Sequence, residues 1–237
     1  MLNRLRLLII RHAEPDYPRD ALTERGSLQA ERLALRLAGE GIDRLYSSPL
    51  RRALDTARPA AAVLGLPVGI EPWTRELEDW WLPIGPEGER PAWKLDGGMV
   101  RDLAPELHPE DWCSLPPFDL PVLRQGFAAL TAASDAFLAR HGCVRAGRRY
   151  RLERPEHGPA DRLALVCHAG FGLTWLAHLL AIPPPLIWAG FALPPASVTT
   201  IEFEPLPDGG GAAPRCLAVG DVSHLRADDG GHRPHGR

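Results

Sequence analysis

The chain has 237 residues, 45% of them apolar and 24% charged, and a net charge of −3 at neutral pH. This is the composition of a folded chain long enough for one large core, and it excludes a broadly basic nucleic-acid surface. No stretch approaches the roughly 18 apolar residues of a membrane span. The four cysteines, Cys113, Cys143, Cys167 and Cys216, form neither a C-x-x-C pair nor a zinc pattern. The chain therefore reads as soluble and cytoplasmic, with reduced thiols and no membrane or nucleic-acid partner.

The elements follow in chain order. Residues 4 to 10 are a short aliphatic run that suits a buried parallel strand, and too short for a signal peptide. Thr23 offers a helix N-cap, with Glu24 in the first turn. Leu28, Leu33, Leu35 and Leu37, with Ala30, Ala34 and Ala38, supply the apolar face, and Gly41 the stop. Leu45 and Tyr46 form a short strand ending at Ser47-Ser48-Pro49. A helix follows from about Leu50, which Pro59 should kink or split in two. Val68 to Glu71 is a weak third strand. Further on, Val122 to Arg140 reads as a helix, Arg145 to Pro155 as a hairpin turning at Ala146-Gly147, and Leu163 to Cys167 as a strand. Phe171 to Ala181 is a helix, and Val198 to Glu204 and Cys216 to Val219 are strands joined through the Gly-rich 207–211. Strands alternating with helices indicate an α/β fold with a mostly parallel sheet.

Residues 73–121 break this rhythm. They are rich in proline and glycine and hold five of the seven tryptophans: Trp73, Trp80, Trp81, Trp93 and Trp112. They read as a cap within a single domain spanning 1–225, their tryptophans serving the cap's core or a dimer surface more than a substrate pocket. Residues 226–237 are polar and read as a frayed tail.

Arginine and histidine stand side by side twice. Arg11-His12 follows the first strand directly, and His168, in LALVCHAGFG, holds the same place after a later strand. In an open α/β sheet, ligands bind beyond the carboxyl ends of the strands. Two strands of one sheet can therefore bring these imidazoles together, and Ala169-Gly170 would let a ligand approach the backbone. Arg140-His141 instead ends a helix ahead of Gly142, where cations complement the helix dipole. It reads as structural.

The company of Arg11-His12 is informative. LTERGSLQA (22–30), SSPLRRALDTA (47–57), TRELEDWW (74–81), VCHAG (166–170) and GDVSHL (220–225) follow it in order. Over about residues 5 to 225 the chain resembles the histidine phosphatase superfamily, also called phosphoglycerate mutase-like. The resemblance implies a three-layer α/β/α sandwich and chemistry through a phosphohistidine. It implies His12 as nucleophile, Arg11 and Arg52 as phosphate clamps, His168 as second histidine and phosphate ligand, and Glu76 as acid/base. Arg52 is chosen over Arg51 because it directly precedes the alanine. Glu78 and Asp79 are close rivals of Glu76.

These residue types suit the chemistry in their own right. Guanidiniums clamp a phosphoryl group with multidentate hydrogen bonds, a neutral imidazole attacks phosphorus, and a carboxyl group serves the leaving oxygen and then water. No metal or cofactor is called for.

Three positions depart from the family pattern. Ala13 replaces glycine, Pro15 removes a polar side chain, and ELEDWW lacks the run found in glycolytic mutases. The last two favour a metal-independent phosphomonoesterase acting on a small phosphorylated metabolite. The alternatives are a phosphoglycerate mutase needing a bisphosphorylated primer, or a non-catalytic binding module, which would need no nucleophile. The oligomeric state, a homodimer included, stays open.

Overall fold

A computed structural model describes residues 4–84, 88–153 and 162–226. Strand β1 is Leu5–Arg11, followed by a small hairpin of β2 (Pro15–Asp16) and β3 (Ala21–Leu22). Helix α1 (Glu24–Glu40), β4 (Arg44–Ser47), α2 (Arg51–Leu64) and β5 (Val68–Ile70) come next. The cap region holds the short hairpin β6 (Trp81–Leu82) and β7 (Arg90–Pro91), then α3 (Gly97–Leu103). Helix α4 (Pro121–Arg140) leads to β8 (Cys143–Ala146), β9 (Arg149–Leu152) and β10 (Arg162–Cys167). Helices α5 (Ala169–Leu180) and α6 (Pro184–Gly190) precede the final strands β11 (Val198–Pro205) and β12 (Ala212–Asp221).

The main sheet has eight strands in the order β5-β4-β10-β1-β11-β12-β9-β8. It is parallel from β5 through β1 and antiparallel beyond. Side chains of β1 alternate between two buried faces, as a pleated strand covered on both sides requires. Leu8 and Ile10 meet Leu33, Leu37, Ala53 and Ala57 of α1 and α2. Leu7 and Ile9 face the other layer, where α4, α5, α6 and the cap supply Leu130, Phe137, Trp175, Ile187 and Trp112. The result is the expected α/β/α sandwich.

Thr23 caps α1, its side chain accepting from the Gly26 amide, and Gly41 ends the helix in the left-handed conformation. The buried stripe of α1 is narrower than its leucines suggest. Ala30, Leu33, Ala34 and Leu37 are buried, whereas Leu28 and Leu35 are 56% and 69% exposed. Only the first set keeps the i, i+3, i+4, i+7 spacing of one face. Pro59 does not split α2, which is continuous through it. The proline is half-exposed, so the carbonyl it leaves without a donor is on a side open to water. Helix α6 was not read from the sequence; Pro184 and Pro185 occupy its first turn, where no amide donor is needed.

The β8–β9 hairpin turns at Gly147, with φ +66°; its expected end at Pro155 lies outside the described residues, as does the tail beyond 226. In the cap, Trp80 and Trp112 are buried and pack edge-on against Trp188 of α6. These two indoles are core. Among the described residues no helix is long and apolar enough to cross a membrane.

Candidate active site

Three neighbouring parallel strands, β4, β10 and β1, end side by side. Ser48, His168 and His12 follow them directly. The ladder continues one step past the strands, with the His12 amide donating to Cys167 O at 2.8 Å and the Ser48 amide to Val166 O at 2.8 Å. This fixes His12 and Ser48 by backbone on either side of the strand that leads to His168. The ring centroids of His12 and His168 are 5.1 Å apart, and both rings are buried, at 2% and 0% exposure.

The nitrogens of His12 are not equivalent. Nδ1 lies 2.7 Å from Ala13 O. A carbonyl can only accept, so Nδ1 carries the proton and Nε2 keeps its lone pair. Burial, with the Arg11 and Arg52 charges beside it, lowers the His12 pKa to about 3, against the opposing hydrogen bond to Ala13 and the charge of Asp20. Burial likewise holds His168 well below the usual histidine range, helped by His12, Arg52, Arg11 and Arg75. Both imidazoles are therefore neutral near pH 7. His168 Nε2 is 2.8 Å from Ser48 Oγ, and its Nδ1 is buried without a partner.

Two guanidiniums accompany the rings. Arg11 ends β1 and donates from Nη1 to Leu193 O at 2.6 Å. Arg52, in the first turn of α2, is 8% exposed and donates from Nη1 to Asp20 Oδ1 at 3.0 Å. The Nε atoms of both arginines are buried and unpartnered. Arg51, one residue earlier, is exposed and pairs with Asp55 at 3.5 Å along the same helix.

Glu76 lies at the N-terminus of α5. Its Oε1 accepts from the amides of Phe171 at 2.9 Å and Leu77 at 3.1 Å, and its Oε2 from Gly170 at 3.2 Å. Burial still raises its pKa, the three amides and Arg11 acting against that rise. The other two carboxyl groups, Glu78 and Asp79, are exposed, and Glu78 contacts Arg75 at 3.9 Å.

The structure thus brings Arg11, His12, Arg52, Glu76 and His168 to one edge of the sheet. It corrects one expectation there. Gly170 does not open the backbone to a ligand, since a Cβ on it would fall 2.5 Å from the Trp93 indole. The glycine instead lets the cap close onto the first turn of α5. Cys167 is wholly buried, which pushes its thiol up and leaves it inert. Arg140-His141 lies elsewhere. His141 caps α4 with Nε2 3.0 Å from the Tyr46 hydroxyl, and Arg140 pairs with Glu71.

Two residues at the site were not singled out from sequence. Ser48 lay within the quoted SSPLRRA, where its place at a strand end, like that of His12, was the available signal. Asp20 sits in a turn with no motif of its own.

Residues 7–80 match the sequence profile of the histidine phosphatase superfamily (branch 1). The adenosylcobalamin/alpha-ribazole phosphatase of Escherichia coli (strain K12) is 27% identical over 197 residues, covering 78% of this chain and 83% of that protein. Among solved structures, the phosphoserine phosphatase of Entamoeba histolytica in complex with 3-phosphoglyceric acid superposes with a TM-score of 0.58 at 22% identity, over 93% of this chain and 99% of that one. A mycobacterial glucosyl-3-phosphoglycerate phosphatase gives 0.56 at 21%, over 92% and 99%. These two share the fold, and residues 7–80 carry the sequence signature of the histidine phosphatase superfamily.

Proposed function

We propose that this protein is a metal-independent phosphomonoesterase that removes phosphate from a small phosphorylated metabolite through a phosphohistidine on His12. The observation that carries this reading is the pair of neutral, buried imidazoles 5.1 Å apart, flanked by two arginines whose buried Nε atoms have no protein partner. Unpaired buried donors are costly unless a ligand meets them, and a phosphoryl group offers several oxygens at once.

His12 Nε2 attacks phosphorus, a P–N bond forms and the ester P–O bond breaks. The departing oxygen takes a proton from Glu76, whose raised pKa suits a general acid. Water then attacks the phosphohistidine and gives its proton to Glu76. The P–N bond breaks, returning neutral His12 and releasing inorganic phosphate. Arg11 and Arg52 hold the equatorial oxygens throughout, and the anion's arrival favours a proton on His168. Positioning and charge carry most of the work.

In this reading residues 1–225 are one domain, with 73–121 as its cap over the site. The enzyme works in the cytoplasm, which its free thiols support. The test is hydrolysis of para-nitrophenyl phosphate with and without EDTA, beside a mutase assay with 3-phosphoglycerate and 2,3-bisphosphoglycerate. Hydrolysis undiminished by EDTA is expected. Primer-dependent interconversion of phosphoglycerates faster than hydrolysis would overturn the phosphatase reading.

A further inference from the structure

The charge of the phosphate pocket is not simply that of its two arginines. Both histidines are neutral, and Arg11 and Arg52 are the positive charges that act on both of them. One of these already has a carboxylate: Asp20 Oδ1 lies 3.0 Å from Arg52 Nη1. The two partners are unequal. The Arg52 side chain is 10% exposed and that of Asp20 is 46% exposed. The arginine is fixed in the fold, and the aspartate stands at the rim with water behind it.

The β2–β3 hairpin builds this contact. Its connecting turn, Tyr17–Arg19, ends at Asp20 in the left-handed conformation, φ 45° and ψ 45°, with the Asp20 amide donating to Tyr17 O. Aspartate is among the few side-chain-bearing residues that tolerate this region. The same turn lays the Tyr17 ring over Arg52, 5.6 Å from the guanidinium carbon to the ring centroid. A turn of four residues thus covers one face of Arg52 and occupies one of its nitrogens, while the buried Nε remains unpaired. The negative charge of Asp20 also reaches His12, the nucleophile, where it acts against the lowering by the arginines.

We propose that Asp20 is a resident counter-anion for Arg52, a positioning residue that weakens the pocket's hold on inorganic phosphate and so speeds product release. The proposal rests on the reading of Arg52 as a phosphate clamp. A hydrolase that clamps a phosphoryl group must let go of the same anion when the reaction ends. Binding substrate and product phosphate equally tightly lowers KM without raising turnover, and product release often limits turnover. A carboxylate at hydrogen-bond distance from one clamp opposes a second anion there and can retake the guanidinium as phosphate leaves.

The sign of the effect separates this role from a structural one. Loss of a supporting contact would weaken phosphate binding; loss of a competing anion strengthens it. Asparagine keeps the shape, the acceptor oxygen and the tolerance of positive φ, and glycine keeps the φ alone. Inorganic phosphate is titrated by calorimetry into wild type, Asp20→Asn and Asp20→Gly, and also tested as a competitive inhibitor of para-nitrophenyl phosphate hydrolysis. Both variants are expected to bind phosphate about tenfold more tightly, the scale of one like-charge contact in a partly wet site, with KM falling in step. Folded variants that bind phosphate as weakly as wild type, or more weakly, overturn the proposal. Calorimetry reads the site without turnover. A wild type that binds phosphate yet hydrolyses no ester would sink the phosphatase reading alone, and the variants would still decide the role of Asp20.

Discussion

His12 shows most plainly how one residue's surroundings decide its chemistry. A hydrogen bond to Ala13 O places its proton, and burial keeps it neutral down to a pKa of about 3. In the proposed mechanism the attacking lone pair is therefore present at any physiological pH. His12→Ala should lose on the order of 10⁴-fold or more in kcat, as removal of a nucleophile does elsewhere, while circular dichroism shows the fold retained. His141→Ala is the control and should stay within about threefold of wild type, since its backbone caps α4 and its ring meets Tyr46. Near-normal hydrolysis by the folded His12 variant, or complete loss in the His141 variant, would reverse the assignment. The difference between the two Arg-His pairs was legible in the sequence because a strand end and a helix end have different neighbours. Asp20 was not legible. Its relevance depends on a turn that folds back onto Arg52, and nothing in Asp-Tyr-Pro-Arg-Asp states which distant side chain it will meet.

At the scale of the element, α2 illustrates what helical geometry decides. Neighbours on a helix diverge by about 100°, so Arg52 points inward at 8% exposure and Arg51 outward to Asp55. Arg52→Ala should cost on the order of 10²-fold in kcat/KM, the scale of losing one charged transition-state ligand. Arg51→Ala should cost less than about twofold, because an exposed i,i+4 pair is worth about 0.5 kcal/mol. Parallel kinetics on the two purified variants check this, and equal losses would count against the clamp. The helix itself was legible; its continuity through Pro59 was not, since the outcome depends on which side the freed carbonyl faces. The same limit explains Leu28 and Leu35 on α1. Composition names them apolar, but only the packing of α1 on the sheet shows that the buried stripe runs through Ala30, Leu33, Ala34 and Leu37.

For the whole molecule, the buried histidines tie stability to pH. Burial lowers His12 to about 3 and, helped by the Arg36 charge, His224 to about 4, and it holds His168 and His178 down as well. Between those values and about 6.5, the unfolded chain binds protons that the folded chain does not. Stability from these groups is therefore complete above about pH 6.5 and is lost as pH falls toward their folded values. Asp135, Asp221 and Glu202, whose pKa values are lowered, add loss of the same sign at lower pH. Glu76, whose pKa is raised, acts in the opposite sense. The melting temperature should fall steadily from pH 7 to pH 5, and His12→Gln should flatten that slope. A melting temperature that rises over this interval would contradict the burial of neutral rings. Excess phosphate should oppose the fall by binding the folded form alone.

Strand β10 lies between β1 and β4 and pairs with both, although it follows them by more than a hundred residues. During synthesis the ribosome delivers β1 and β4 early, and neither can close against the other, because the place between them is reserved. Each emerges with an inner edge of bare amides and carbonyls, the kind of edge that recruits foreign strands. A chain truncated before residue 162 would keep both edges open and would also lack His168. The gap between β1 and β4 therefore closes only when β10 arrives, and the same strand sets His168 beside His12.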